Sequence, residues 1–309
     1  MSRRLTQVSS LFNTPGQESL AKVSLVVLSG LLYSITIASV RVAGGYMQPT
    51  ALTALRLGIA SAVLCVVLAF LKPQYRWRTK DVVNLCIVSV LTVALPFYGT
   101  ATAVQYISSS LAAILYNLMP PFTVVLAHFL VINERLNSAK VVGTVVSVFG
   151  ASILLLSGSS GLASGDSQGW IGQLVVIGVS LSSALGVIHI RNTLSDVNPF
   201  ILATGVALIS LVVFVPLFLL SGDVAVVVTY PVEAWIAVGL SAISGPVAAF
   251  CLLFYLTNKY SASLAGFSGI TTPLFSVLIG VLFLSEALTP YMVAGTVLLL
   301  VGVWSLNRF

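Results

Sequence analysis

The chain reads as an all-α integral membrane protein of ten transmembrane helices, arranged as two five-helix repeats inserted in opposite orientations. Three observations predict this. Of 309 residues, 58% are hydrophobic and only 7% charged, whereas a soluble domain carries charge at about a quarter of its positions. Apolar stretches long enough to cross a bilayer core of roughly 30 Å follow one another with only short polar breaks. The pattern of the first half also returns in the second.

Charges, Pro and Gly mark the breaks between spans. They leave spans near residues 23–43, 50–71, 82–104, 109–132 and 139–157, then 170–190, 199–220, 234–257, 263–284 and 290–306. Residues 1–21, with Arg3, Arg4, Asn13, Pro15 and Gly16, form a polar cytoplasmic tail. Residues 22–157 and 170–309 are the two repeats. Basic residues are retained on the cytoplasmic side of a membrane. With the N-terminus inside, that side collects twelve of the fourteen Lys and Arg: Arg3, Arg4, Lys22, Lys72, Arg76, Arg78, Lys80, Arg135, Lys140, Arg191, Lys259 and Arg308. The opposite side carries Asp166, Asp223, Glu233 and Glu286. Both termini are therefore expected in the cytoplasm and the protein in the inner or plasma membrane.

The repeat is visible by eye. Leu118–Gly150 reads LMPPFTVVLAHFLVINERLNSAKVVGTVVSVFG and Ile270–Gly302 reads ITTPLFSVLIGVLFLSEALTPYMVAGTVLLLVG. Pro121 and Pro273, Glu134 and Glu286, Gly143 and Gly295, and Gly150 and Gly302 are each 152 positions apart. Arg41 and Arg191, Pro49 and Pro199, and Pro96 and Pro246 are each 150 apart. Five is odd, so the second copy enters the membrane upside down. Inverted repeats recur in secondary transporters, whose halves rock about a site near the bilayer midplane. A duplication kept for packing alone and a channel are the competing readings, although no polar ring or filter of the kind a channel needs is visible.

These segments resemble the EamA-type branch of the drug/metabolite transporter superfamily over nearly the whole chain. In each half that family shows a small-residue turn, a Pro-centred helix, a terminal Glu and a Gly-bearing helix. This sequence gives SSSLAAILYNLMPPFTVVLAHFLVINERL and SASLAGFSGITTPLFSVLIGVLFLSEAL. The stretch PTALTALRLGIASAVL, with Arg56, is similar to the family's second helix, but Val206 stands where the repeat would place a counterpart of Arg56. The resemblance implies export of small metabolites such as amino acids, nucleosides or amphipathic drugs. Amino acids, aromatic ones among them, are the first expectation. No cofactor is implied.

The chemistry-bearing residues fall into groups. Pro96, Pro120, Pro121, Pro246 and Pro273 lie near mid-depth, where proline frees carbonyls and bends a helix, so they are expected to act as hinges or cavity walls. Around them Tyr33, Ser34, Tyr98, Tyr116, Asn117, Ser183, Phe250, Phe254 and Thr271 can hold a solute with an apolar body and a polar end, as a mostly apolar pocket with a few placed polar groups requires. Ordinary helix packing is the competing reading for each of them.

Arg56 lies about 9 Å into its span, at 1.5 Å per residue. A charge at that depth is a functional hypothesis, for holding a substrate carboxylate, for snorkelling to the outer surface or for pairing with a helix end. Arg41 is expected to anchor at the interface. His128 and His189 are the side chains able to relay protons near neutral pH, with a hydrogen-bonded structural histidine as the preferred reading of each. All eight Asp and Glu fall at or beyond span ends, which favours a facilitator, or coupling through a histidine, over a carboxylate-coupled pump. Glu134 and Glu286 are expected to cap the helices that follow them.

Gly143 with Gly150, and Gly295 with Gly302, put small residues on one face of the fifth and tenth helices. They are expected to pack those helices together or to join two protomers in a homodimer. Cys65, Cys86 and Cys251 sit inside spans and read as small apolar residues. The net charge of +6 is not clustered with aromatics as nucleic-acid binding requires, and no metal-ligand spacing is present. The segment Gly266–Gly269 (GFSG) resembles the nucleophile motif of intramembrane serine proteases, with Ser268 as nucleophile. Four residues, and a repeat copy without the serine, make it the weakest alternative.

Overall fold

The computed structural model describes residues 15–308 apart from 74, 76, 132–135, 158, 159, 163–167 and 260–267. It is helical throughout, with no strand among the described residues. The helices are α1 Pro15–Gly44, α2 Pro49–Leu71, α3 Thr79–Tyr106, α4 Ser109–Leu130, α5 Ser138–Leu156, α6 Gly169–Thr193, α7 Pro199–Leu220, α8 232–259, α9 Ser268–Leu284 and α10 Pro290–Arg308. Within the described residues, α1 to α8 are long and apolar enough to cross a membrane, and α9 and α10 are shorter apolar helices. Large apolar side chains point outward all round the bundle, such as Phe70, Phe129, Leu156, Val212, Leu282 and Phe283. Water would not tolerate such a surface, and lipid does. This is an integral membrane protein of two inverted five-helix repeats.

Local sequence sets the helix ends. Pro49 and Pro199 each open a helix at the first turn, where a missing N–H costs nothing. Asn137 and Asn198 cap α5 and α7, accepting from the N–H groups of Lys140 at 2.8 Å and Phe200 at 2.9 Å. Lys22, Lys72, Arg78, Lys80, Lys140 and Arg191 lie at one end of the bundle, here the basic end. The α1–α2, α3–α4 and α9–α10 connections, with Glu233 and Glu286, form the acidic end.

Helix partnerships come in pairs related by the repeat. Helix α1 packs on α9 as α6 packs on α4, and α1 packs on α8 as α6 packs on α3. Helices α2 and α7 pack on each other, and so do α5 and α10. The α5–α10 seam is the most extensive of these contacts. A Cβ on Gly143 would stand 2.8 Å from the carbonyl oxygen of Gly302, and one on Gly150 would stand 2.7 Å from that of Gly295. The four repeat glycines thus meet one another within one chain. A homodimer through α5 and α10 would have to use the opposite, valine-rich faces of these helices, with Val141, Val145, Val297 and Val301.

At the acidic end the helices meet through apolar side chains. Ile107, Leu111, Leu115, Met47, Leu154 and Met292 are buried in one apolar cluster there. Ser285 ends α9 at φ 53°, a left-handed conformation usually left to glycine, and the N–H of Glu286 then donates to Gly280 at 3.0 Å. This turn aims the Glu286 carboxylate at the N-terminus of α4. Its Oε1 accepts from Ser109 N (2.6 Å) and Ser109 Oγ (2.7 Å), and its Oε2 from Ser110 N (3.0 Å) and Ser110 Oγ (2.5 Å). Ser108 Oγ accepts from Leu111 N at 3.1 Å. The first three N–H groups of α4, orphans of any helix start, are therefore all satisfied. Glu286 caps not the helix that follows it but one from the other half. Glu134 lies outside the described residues. Arg41, expected as an interface anchor, is half-buried instead, donates to the carbonyl of Val104 and faces the Glu286 charge.

Candidate functional site

The matched prolines explain where the helices bend. Proline has no N–H to donate. In α3 a π-helical stretch, Val90–Ala94, runs into Pro96, and in α8 another, Ile243–Ala249, contains Pro246. The carbonyls five positions before the two prolines, where a five-residue hydrogen-bond step would have used the missing N–H, are met by side chains of other helices. Those carbonyls belong to Leu91 and Ser241, and in both cases another helix supplies the donor. Ser182 Oγ of α6 donates to Leu91 at 2.9 Å, and Arg56 Nε of α2 donates to Ser241 at 3.4 Å. Removing the first donor takes away a partly buried hydrogen bond between α6 and α3, so Ser182→Ala should lower stability by about 1 kcal/mol. Thermal unfolding of the detergent-purified variant measures this, and an unchanged midpoint would refute the bracing role.

Arg56 is buried, with its guanidinium carbon 4.1 Å from the Phe97 ring centroid. Burial speaks against snorkelling, and of the three expected roles the geometry comes nearest to pairing with a helix, as a brace on the broken α8 stacked on an aromatic face. It stands between α2, α3 and α8.

In α4 the run Tyr116–Pro121 interrupts the helix at Asn117 and Leu118, and the chain resumes as helix at Met119 with Pro120 and Pro121 in its first turn. Ser180 of α6 sits against this break, its Oγ 2.9 Å from Val176 O and 3.3 Å from the carbonyls of Leu115 and Tyr116. Around the break, four helices bring polar groups together. Tyr116 Oη donates to Ser183 Oγ of α6 at 3.3 Å, and Tyr33 of α1 lies within electrostatic range of Tyr116. Ser34 Oγ donates to Gly30 O at 2.7 Å and lies 2.8 Å from Thr272 O of α9, next to Pro273. Asn117 is buried, donates to Ala113 O at 2.9 Å and turns its Oδ1 toward Gly269 of α9. Thr271 reaches the Val26 carbonyl at 3.4 Å and occupies the space a side chain on Gly30 would need.

Seven of the sequence-derived residues are thus assembled on α1, α4, α6 and α9: Tyr33, Ser34, Tyr116, Asn117, Ser183, Thr271 and Pro273. Ser180, Thr272 and Gly30 join them. Sequence reasoning passed over these three, although the serine run GVSLSSALG in an apolar span was a signal for the first.

Other residues lie elsewhere. Gly99 presents the α3 face that meets α6, against Val179. One residue earlier is a rotation of about 100°, so Tyr98 faces away, its ring 5.8 Å from that of Phe214 of α7 and two-fifths of its surface exposed (41%). Phe250 packs with Leu64, Ala203 and Ala207 of α2 and α7. The Phe254 side chain lies outside the described residues. His189 bonds Asn84 of α3 at 3.1 Å, about 9 Å along α6 from Ser183. His128 is exposed in the last turn of α4, edge-on to Phe129. Of the GFSG motif, Gly266 and Phe267 lie outside the described residues and Ser268 begins α9.

The assembled group is uncharged: phenols, hydroxyls and an amide among apolar walls. Among the described residues no cluster of His, Cys, Asp or Glu suits a metal.

The sequence pattern of the EamA-like transporter family matches this chain twice, over residues 20–156 and 170–308. An uncharacterized transporter of Archaeoglobus fulgidus is 22% identical over 92% of this chain and 98% of its own length. Two uncharacterized transporters of Bacillus subtilis, YcxC and YoaV, are 28% and 25% identical; they cover 91% and 94% of this chain and 92% and 98% of their own lengths. A solved crystal structure of a protein 19% identical in sequence superimposes with a TM-score of 0.64, over 91% of this chain and 94% of that one, and has the same fold.

Proposed function

Since this chain belongs to the EamA-like transporter family, and is a membrane transporter and not an enzyme, we propose that it exports small amphipathic metabolites of no net charge, amino acids first among them. The carrying observation is the uncharged group of Tyr33, Ser34, Tyr116, Asn117 and Ser183 at the break in α4, on helices that the repeat relates in pairs. A broken helix is the usual place where a transporter exposes backbone to a solute. Here phenol and hydroxyl groups fix a polar end, and the aromatic faces of Tyr33 and Tyr116 receive an apolar body.

The site opens to each side in turn as the two repeats, 22–157 and 170–309, rock against each other. The basic end faces the cytoplasm, by the retention of Lys and Arg there, which puts both termini inside the cell membrane and the acidic end outside.

With no ionised side chain in the assembled group, no ion is needed to complete it, and the carrier works as a gated facilitator. In liposomes preloaded with one amino acid, uptake of the radiolabelled form should proceed by counterflow without an ion gradient. A panel of amino acids and nucleosides, run with and without a pH step, tests both claims. Accumulation driven by the pH step alone would overturn the facilitator reading. A panel in which no zwitterionic or neutral solute moves would overturn the substrate class.

A further inference from the structure

The Glu286 carboxylate accepts four hydrogen bonds, all from one helix start in the other half of the molecule. A carboxylate is not needed merely to finish α9, because the Ser285 turn already does so. Nor is it needed to fill space: Gly280 is kept bare so that the carboxylate and Ser110 fit, since a Cβ there would collide with both. The strained turn, the bare glycine and the two serines are all spent on placing one negative charge against the positive end of α4. The charged group facing it from α1 is Arg41, whose guanidinium is held by the Val104 carbonyl of α3. The contact therefore ties α1, α3 and α4 of the first repeat to the α9–α10 turn of the second, at the end where Met47, Ile107, Leu111 and Met292 share one apolar cluster.

We propose that Glu286 is a positioning residue of the transport cycle: by gripping the N-terminus of α4 across the two repeats it holds the acidic end shut, and opening of that end proceeds by its release. The proposal rests on the rocking of the halves given above. It adds what sets the balance between closed and open, since removing interactions present in only one state shifts the population toward the other.

The experiment places nitroxide labels at Tyr46 in the α1–α2 connection and Leu288 in the α9–α10 turn, both exposed (48% each). The background has Cys65, Cys86 and Cys251 replaced by alanine, and the label separation is measured by pulsed electron spectroscopy. With Glu286 present, the short distance should dominate. Glu286→Gln puts an amide N–H₂ against N–H donors and should turn a longer distance into the major population. Ser109→Ala with Ser110→Ala, which removes two of the four donors, should move it partway; this variant decides the matter if Glu286→Gln does not fold. Unchanged distance distributions in the folded variants, even with a lowered melting temperature, would reduce Glu286 to a structural cap and overturn the proposal. The measurement needs no substrate. Failure of every solute in the liposome panel, beside a shifted distribution, would count against the transport reading and leave the latch standing.

Discussion

Gly150→Leu should leave little folded protein. The carbonyl of Gly295 stands 2.7 Å from where a Cβ would begin, and the backbone nitrogen of Leu299 stands at the same distance. Neither neighbour is a side-chain tip that could swing aside. Overpacking a core costs about 1–3 kcal/mol when side chains can repack, and here only separation of α5 from α10 relieves the clash. The expected loss is about 3 kcal/mol or more, a large part of the margin on which a fold rests. Fluorescence-detected size exclusion after mild heating measures it. Leu282→Ala on α9, whose side chain is largely exposed, serves as a control and should behave as the unmodified protein. A monodisperse Gly150→Leu variant with an unchanged melting temperature would mean that α5 and α10 do not meet as described.

Asn117→Ala should weaken transport about tenfold, equivalent to about 1.4 kcal/mol. Asn117 carries the amide in the assembled group, and the group sits where α4 is interrupted. Its side-chain N–H₂ already holds Ala113 O, whereas Oδ1 lies close to Gly269 of α9 and is the atom proposed to receive a solute ammonium or hydroxyl. Loss of that acceptor should raise the concentration for half-maximal counterflow while the folded fraction stays near that of the parent. Equal affinity and rate in the folded variant would place the site elsewhere.

The membrane class, the number of spans and the inverted repeat were legible in composition and in the spacing of Pro, Glu and Gly. So was the pairing of bends, because a proline removes a donor wherever it sits in a helix. What composition could not supply was rotation. A helix apolar on every face has no stripe to say which side turns inward, so Tyr98 and Tyr116 looked alike in the sequence although only the second joins the central group. The partner of Glu286 was hidden for another reason. The SSSL start of α4 announced a helix needing a cap, but the carboxylate that supplies it lies 177 positions from Ser109, and only assembly of the two repeats brings them together. Arg56 stands out by its depth, yet its partner, a backbone carbonyl of α8, carries no mark in the residue at position 241.

On the proposal that the group on α1, α4, α6 and α9 is the transport site, its uncharged character has a consequence for how the carrier relates to membrane voltage. Moving one elementary charge through a potential of 100 mV is worth about 2.3 kcal/mol, and an ionised side chain in a rocking site would exchange that work with the field at every turnover. Tyr33, Ser34, Tyr116, Asn117, Ser183 and Thr271 carry no such charge at neutral pH. A zwitterion bound among them adds a dipole and no net charge. Traffic through this site would therefore pass no current, and a cell could change its resting voltage without changing the direction in which the solute flows.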